Sequence, residues 1–400
     1  MGNQPDYLSR RRLLTHAGAA SALMLKETLL PGEIFGWAED QREVRFKKTV
    51  LDSRFVAESV AVADVNRDGK LDILVGNVWY EAPHWTPYEI APFQFVDPAT
   101  GYSNAFLSWA EDFNHDGWVD QLVVGMPGEK VVWRENPKGL NQPWKEHLVW
   151  RSACDETPHY VDLFKNGKRV LVMGTDDDYV GWFEPATDPY AEWNFHRVSE
   201  KKEPGSQRYW HGLGVGDINA DGRNEIITNE GYYVAPANPR SEPWTFVKAD
   251  LGPPCAHMPV LDINGDHLPD VISSSAHDRG VWWHEQLANG AGFRSHLIDD
   301  TISQTHSLVL GHFGRRKQLN IVTGKRFWAH GPNKDLGANE PALLVRYEMS
   351  RTKKGVEWVR TVIDEDSGVG THFVVQDVNH DGREDIVIAN KKGVFLFEQI

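Results

Sequence analysis

The chain has 400 residues, with 57 Asp plus Glu against 42 Lys plus Arg and a formal net charge of -15. That balance excludes a surface built to neutralise nucleic-acid phosphates, so no nucleic-acid partner is expected. No apolar stretch reaches 18 residues, which argues against a membrane-spanning helix, and two cysteines, Cys154 and Cys255, are too few for a disulfide scaffold.

The first element is SRRRLLTHAGAASALML, Ser9 to Leu25, where three consecutive arginines precede a mild Ala/Leu stretch. It resembles a twin-arginine export signal, in which the arginines are the address read by the receptor. Residues 1–38 are therefore read as signal and linker, and the protein is expected to be exported to the periplasm or the extracellular space.

From residue 43 onward one unit recurs. A strand-like segment such as VRFKKTVLD is followed by a loop of the form D-x-N-x-D-G-x-x-D/E between two short apolar runs. The first loop carries Asp64, Asn66, Asp68 and Asp72, and the second Asp112, Asn114, Asp116 and Asp120. The fourth carries Asp217, Asn219, Asp221 and Glu225, and the fifth Asp262, Asn264, Asp266 and Asp270, with His267 in the glycine position. The seventh carries Asp377, Asn379, Asp381 and Asp385. Closely spaced oxygen donors on a tight turn suit a hard cation, so about five structural Ca2+ ions are expected. The third copy, from Asp162, and the sixth, from His312, lack most of the ligands and are expected to bind none.

An aromatic strand follows each complete unit, as in VWYEAP, VVWRENP and VWWHEQ. Four strands per repeat and seven repeats predict an all-β, seven-bladed β-propeller over residues 43–400, with calcium-binding inter-strand loops. The segment near 43–51 is expected to complete the blade whose other strands are C-terminal.

In such a ring the inner strand of each blade runs into its calcium loop. Residues at the start of that strand, and on the connection between the second and third strands, then gather at the opposite mouth of the channel. His159, His211, His257, His306 and His372 begin inner strands, while His277, Glu230, Asp177, Asp178, Lys325 and Arg326 sit on the connections. Tyr160 and Tyr232 lie close in sequence. Histidines at strand starts can serve simply as hydrogen-bonding caps. Five titratable rings around one polar axis point instead to acid–base or metal chemistry. One Zn2+, Mn2+ or Mg2+ ion is expected at the mouth, with Glu230 or Asp155 completing its shell. His84, His147, His196 and His296 are read as surface residues of outer strands.

The repeats resemble the FG-GAP/VCBS repeats of calcium-loop propellers. WHGLGVGDINADGRNEIITNEGYYVAP, SSSAHDRGVWWHEQ, QTHSLVLGHF with IVTGKRFWAHG, and GVGTHFVVQDVNHDGREDIVIANKKGVFLFEQ resemble the propeller domain of the aldos-2-ulose dehydratase family. The resemblance implies dehydration of 1,5-anhydro-D-fructose and related keto-sugars. The fungal enzyme carries cupin domains after its propeller, whereas this sequence ends at Ile400 directly after the seventh unit. Elimination is thus expected without a second tautomerisation step.

The expected function is a carbon–oxygen lyase acting on a small keto-sugar or 3-keto-glycoside. It would work by metal-assisted α-proton abstraction and β-elimination, with His159, His211, His257, His277, His306, His372, Glu230, Tyr160 and Tyr232 as candidate catalytic residues. Two other readings stand beside it. A polysaccharide lyase would need Lys325 and Arg326 as a clamp for a uronate, and a non-catalytic glycan- or protein-binding propeller would need no convergent histidines.

Overall fold

In the computed structural model residues 44–400 are described, apart from 242, 315 and 316, and the arginine-rich leader lies outside them. The described strands form seven four-stranded antiparallel sheets, which are the seven blades of a propeller. Blade one consists of Ala61–Ala63, Asp72–Val75, Val78–Glu81 and Thr86–Glu89, paired in chain order from the axis outward. The next five blades repeat this order, with inner strands Leu107–Glu111, His159–Val161, Leu213–Gly216, Val260–Leu261 and Leu308–Phe313.

Blade seven closes the ring. Its inner three strands are Val374–Gln376, Asp385–Asn390 and Gly393–Gln399, and its outer strand is Phe46–Asp52 from the other end of the chain. The closing ladder runs from Phe46 opposite Gln399 to Asp52 opposite Val394. The ring therefore has no open terminal blade, the liability of an unfinished sheet.

Burial explains the composition of each strand. Six of the seven second strands, such as DILV at 72–75 and DIVIAN at 385–390, are buried at every position, and Gln318–Gly324 at all but its first two. They have a strand on either side and a neighbouring blade against each face, so they read as continuous apolar runs rather than alternating ones. The outer strands alternate instead, and Gly355–Asp364 is exposed at about every second residue. The apolar cores lie between consecutive blades. Leu122 and Trp133 meet Leu171 and Phe183 between blades two and three, and Ile272 and Trp283 meet Ile321 and Tyr347 between blades five and six.

The high tryptophan content has a local cause. Trp133, Trp182 and Trp283 on third strands stack on His147, His196 and His296 of the adjoining outer strands, at centroid distances of 4.2, 3.9 and 4.4 Å. Each of these histidines also meets a glutamate two residues beyond its tryptophan, namely Glu135, Glu184 or Glu285, at 2.8–2.9 Å. In blade one Tyr88 takes the histidine's place, stacking on Trp79 at 4.7 Å and donating to Glu81. These histidines are parts of a repeated packing unit rather than free surface residues, and His147 is buried. Cys154 and Cys255 are both buried free thiols. Among the described residues no helix is long and apolar enough to cross a membrane.

Candidate functional site

The acidic loops lie at one end of the inner strands. In blade one Asp64 accepts the N–H groups of Asp68 and Gly69, both at 3.0 Å, and Asn66 Oδ1 accepts from Asp68. Asp112, Asp217 and Asp377 bind their own loops in the same way. The turn needs left-handed backbone at its sixth position, supplied by Gly69 at φ 85°. In blade five His267 adopts φ 70° there and still donates its N–H to Asp262 at 3.1 Å, so the loop keeps its shape without the glycine.

The last acid of each loop acts as a staple. Asp72 accepts from Val65 and Ala82, Asp120 from Phe113 and Asn136, and Asp385 from Val378 and Gln399. Glu225 and Asp270 do the same in blades four and five. Burial, with the loop's other carboxylates, pushes Asp72 and Asp385 up to about 6, and Asp120 and Glu225 up to about 7. The third copy has the same turn, with Asp162 accepting from Asn166 and Gly167, but lacks the acids. Its Lys165 instead sends an ammonium into the neighbouring loop, 3.1 Å from Asp217 Oδ2 and 3.0 Å from the Gly222 carbonyl.

The chemistry-bearing cluster is at the other mouth. His211 leads into the inner strand of blade four, His306 into that of blade six, and His277 sits on the second-to-third connection of blade five. Their rings meet edge to face, with centroids 4.6 Å apart for His211 and His277, 4.9 Å for His277 and His306, and 5.3 Å for His211 and His306. One ring nitrogen from each lies within 4.8 Å of the other two.

The backbone sets the ring orientation. His211 Nδ1–H donates to the Tyr209 carbonyl at 2.8 Å, and His306 Nδ1–H donates to the Gln304 carbonyl at 3.2 Å. That leaves Nε2 of both rings facing the cluster, buried and without a hydrogen-bond partner, as is His277 Nδ1. Burial, with Arg326 and the neighbouring rings, holds His306 well below 6.5, and burial with His211 and His330 pulls His277 down to about 4.

A pocket of about 490 Å3 opens beside the cluster, lined by Glu156, Tyr209, Trp210, His211, Asn229, Glu230, Pro254, His277 and His330. His330 stacks on His277 at 4.7 Å and 21°, and its Nδ1 lies 2.8 Å from Asp335 Oδ1. Both belong to the long connection between Gln318–Gly324 and Leu344–Thr352 of blade six. Lys325 fastens that connection, its ammonium donating to the carbonyls of Gly337, Ala338 and Glu340. Arg326 is likewise engaged, with Glu156 and Glu58. Neither cation is available as the uronate clamp of the polysaccharide-lyase reading.

Other expectations need correction. His159, His257 and His372 form a separate group, with centroids 4.9 Å apart for His159 and His257 and 6.1 Å for His257 and His372. His159 Nε2–H donates to the Leu213 carbonyl at 2.9 Å and so ties the inner strand of blade three to that of blade four, a capping role. His372 packs on Trp109 at 5.2 Å, and burial takes it down to about 4.

Tyr160 turns into the core against Phe113 and Trp109, and Tyr232 packs with the apolar cluster of Ile218, Ile227 and Leu251. Neither tyrosine lines the pocket, because strand alternation directs them into the inter-blade packing. Asp155 is fully buried on the Gly174 N–H and pushed up to about 8 by burial, whereas the next residue, Glu156, faces the pocket. Glu230 also lines it. The sequence reading missed His330, Asp335 and Glu156. Glu156 stands six residues ahead of Asp162, the register that His211 and His306 hold before their own loops, so the repeat spacing could have found it, whereas His330 and Asp335 hold no repeated position and stand on the longest insertion between adjacent strands of a blade.

The FG-GAP repeat model matches residues 56–80, which span the first acidic loop and the strands around it. A search of curated protein sequences gives no match. Solved structures similar in fold include BBS1N in complex with ARL6DN, at 10% identity and TM-score 0.48, covering 88% of this chain and 95% of that one. Sqt1 of Saccharomyces cerevisiae is similar at 11% identity and TM-score 0.43, covering 89% of this chain and 98% of that one. The chain is a seven-bladed propeller containing an FG-GAP repeat.

Proposed function

We propose that this propeller is a metal-dependent carbon–oxygen lyase acting on a small keto-sugar or 3-keto-glycoside. The observation that carries the reading is the convergence of three ring nitrogens, on His211, His277 and His306, within 4.8 Å and without hydrogen-bond partners. Buried polar atoms are normally paired, and three such acceptors in one place answer to a cation. Imidazole ligands suit a divalent transition ion such as Zn2+ better than Mg2+ or Mn2+. The Nδ1–H bonds of His211 and His306 to backbone carbonyls are the arrangement that orients metal-binding histidines. An ion held there supplies Lewis acidity to a substrate carbonyl.

The chain's own groups perform the proton transfers. His330, with Nδ1–H directed at Asp335, presents Nε2 as the base that takes the proton α to the carbonyl. The electron pair left on carbon forms the new C=C bond as the β C–O bond breaks. Tyr209, which lines the same pocket, donates its hydroxyl proton to the departing oxygen, and solvent returns the proton from His330 to Tyr209. Glu230 and Asn229 are placed to bind sugar hydroxyls, with Trp210 and Pro254 as apolar walls. His277, His330 and Asp335 also lie within 4.8 Å of one another, but the 2.8 Å His330–Asp335 contact favours a base and its orienting carboxylate over a second ion site.

Calcium in the five acidic loops is part of this proposal. The donors are all oxygen, as a hard cation requires, and a carboxylate oxygen accepting one N–H retains a lone pair. Export is proposed from the arginine-rich leader. Metal analysis of the purified protein tests the reading, with elimination from a keto-sugar followed by its enone absorbance. One transition ion per chain is expected, lost together with turnover in a His211→Ala/His306→Ala variant. Calcium alone in the wild type, or turnover that survives in the variant, overturns it.

A further inference from the structure

Arg326 crosses the axis of the ring. It stands on the blade-six connection, its backbone N–H donates to Gln304, and its guanidinium reaches lead-in segments of two other blades. Nη1 lies 3.1 Å from Glu156 Oε2, ahead of blade three, and Nη2 pairs with Glu58 Oε1, ahead of blade one. The aromatic rings of Phe106 and Tyr102 flank it at 5.2 and 5.9 Å. Arg326 is 2% exposed, Glu58 1% and Glu156 7%, so water screens this triad little. Lys391, the other cation nearby, is directed at the Trp328 carbonyl at 3.0 Å.

One oxygen serves two neighbours. Glu156 Oε2, which accepts from Arg326, also lies 3.4 Å from the unpartnered Nε2 of His211, without hydrogen-bond alignment between them. Two donors each about 2.1 Å from one tetrahedral ion stand about 3.4 Å apart. The separation is that of two ligands on one cation, and the ion would have to draw Glu156 toward His277 and His306, because its oxygen is not among the ligand atoms lying within 4.8 Å of one another. The guanidinium, anchored by its other prong on Glu58, holds Glu156 Oε2 in place more firmly than an ammonium on a flexible stem would.

We propose that Arg326 is a positioning residue for the metal centre, holding Glu156 Oε2 against the ligand face of His211 so that a bound divalent ion meets an anionic oxygen beside the imidazoles. The inference rests on the metal reading above and adds to it a fourth donor and the residue that places it. Outer partners of metal ligands typically govern affinity by about ten- to a hundredfold.

Cobalt(II) is the probe, because its visible absorption reports the ligand set while a competing chelator reports affinity. Wild type, Glu156→Gln, Arg326→Lys and Glu58→Gln are titrated alongside circular dichroism and thermal melting. Glu156→Gln and Arg326→Lys are expected to bind cobalt about ten- to a hundredfold more weakly, with altered bands, and Glu58→Gln to fall between them and wild type. A purely structural arginine would lower the melting temperature and leave the bands unchanged. Wild-type affinity and bands in a folded Glu156→Gln overturn this inference and spare the metal reading. Wild-type protein that binds no cobalt overturns both. Should Arg326→Lys fail to fold, Glu156→Gln and Glu58→Gln decide the matter.

Discussion

His330 and Asp335 are joined at 2.8 Å through Nδ1 and Oδ1, while the same imidazole lies flat against His277 at 4.7 Å. The pair couples a carboxylate-oriented imidazole to one ring of the histidine cluster. Asp335→Asn is expected to lower the elimination rate by about a hundredfold, since an amide neither holds the imidazole in the same tautomer nor stabilises its protonated form. Metal content should be unchanged in that variant. Parallel loss of metal and rate would instead make Asp335 a ligand.

The acidic loops separate two roles that one variant each can distinguish. Asp116 projects into the loop, and its Oδ1 accepts only from Trp118, whereas Asp120 accepts from Phe113 and Asn136 in the interior. Asp116→Ala should remove part of the calcium-dependent rise in melting temperature and leave the chelated protein little changed. Asp120→Ala should destabilise even the chelated protein by about 2–4 kcal/mol, because two buried N–H groups lose their acceptor. Equal melting temperatures of the two variants in chelator would refute the staple.

His284 gives the pH dependence a specific source. It is buried between Ser273 and Ser295, at 2.7 and 2.8 Å, and burial pulls it from 6.5 down to about 4. The unfolded chain therefore binds this proton more readily than the folded one. Its contribution is fully present above pH 6.5 and is lost as the pH falls toward 4. Urea midpoints measured from pH 7 to pH 4 should decline, and His284→Gln should remove about 3 kcal/mol of that decline. A parallel decline in the variant would refute the assignment.

The closing strand should be essential. Phe46 meets Phe313 edge to face at 5.3 Å and 87°, so it ties the outer strand of blade seven to blade six as well as to its own sheet. Phe46→Ala is expected to lower stability by about 2 kcal/mol, through lost apolar burial, and to lower the urea midpoint in proportion. Deleting residues 44–52 should leave Gly393–Gln399 as an open edge and yield aggregated protein, read by light scattering. A soluble monomer with the wild-type midpoint would show that the ring does not depend on its closing strand.

The repeat and the blade count were legible in the chain because their causes are local, and the closing strand because Phe46–Asp52 is the strand left over ahead of the first repeat. A D-x-N-x-D-G turn is closed by donors within five residues of Asp64 or Asp377, and a buried middle strand declares itself as a run such as DIVIAN. The same locality explains why the third and sixth copies still form blades after losing their acids. The turn of Asp162 needs only the N–H groups of Asn166 and Gly167.

The sharing of a site was decided only by the tertiary structure. His211 and His306 each stand six residues ahead of their loop's first position, whereas His257 and His372 stand five ahead. Just ahead of an inner strand a shift of one residue re-aims the ring, and the two pairs fall into different clusters. The carbonyls of Tyr209 and Gln304 then settle which nitrogen of His211 and His306 faces inward. Asp155 and Glu156 divide in the same way, one sealed on Gly174 and the other on the pocket wall. Local sequence shapes each blade, but lone-pair directions converge only when blades three to six close on a common axis, through contacts as distant as His211 with His306 and Arg326 with Glu156.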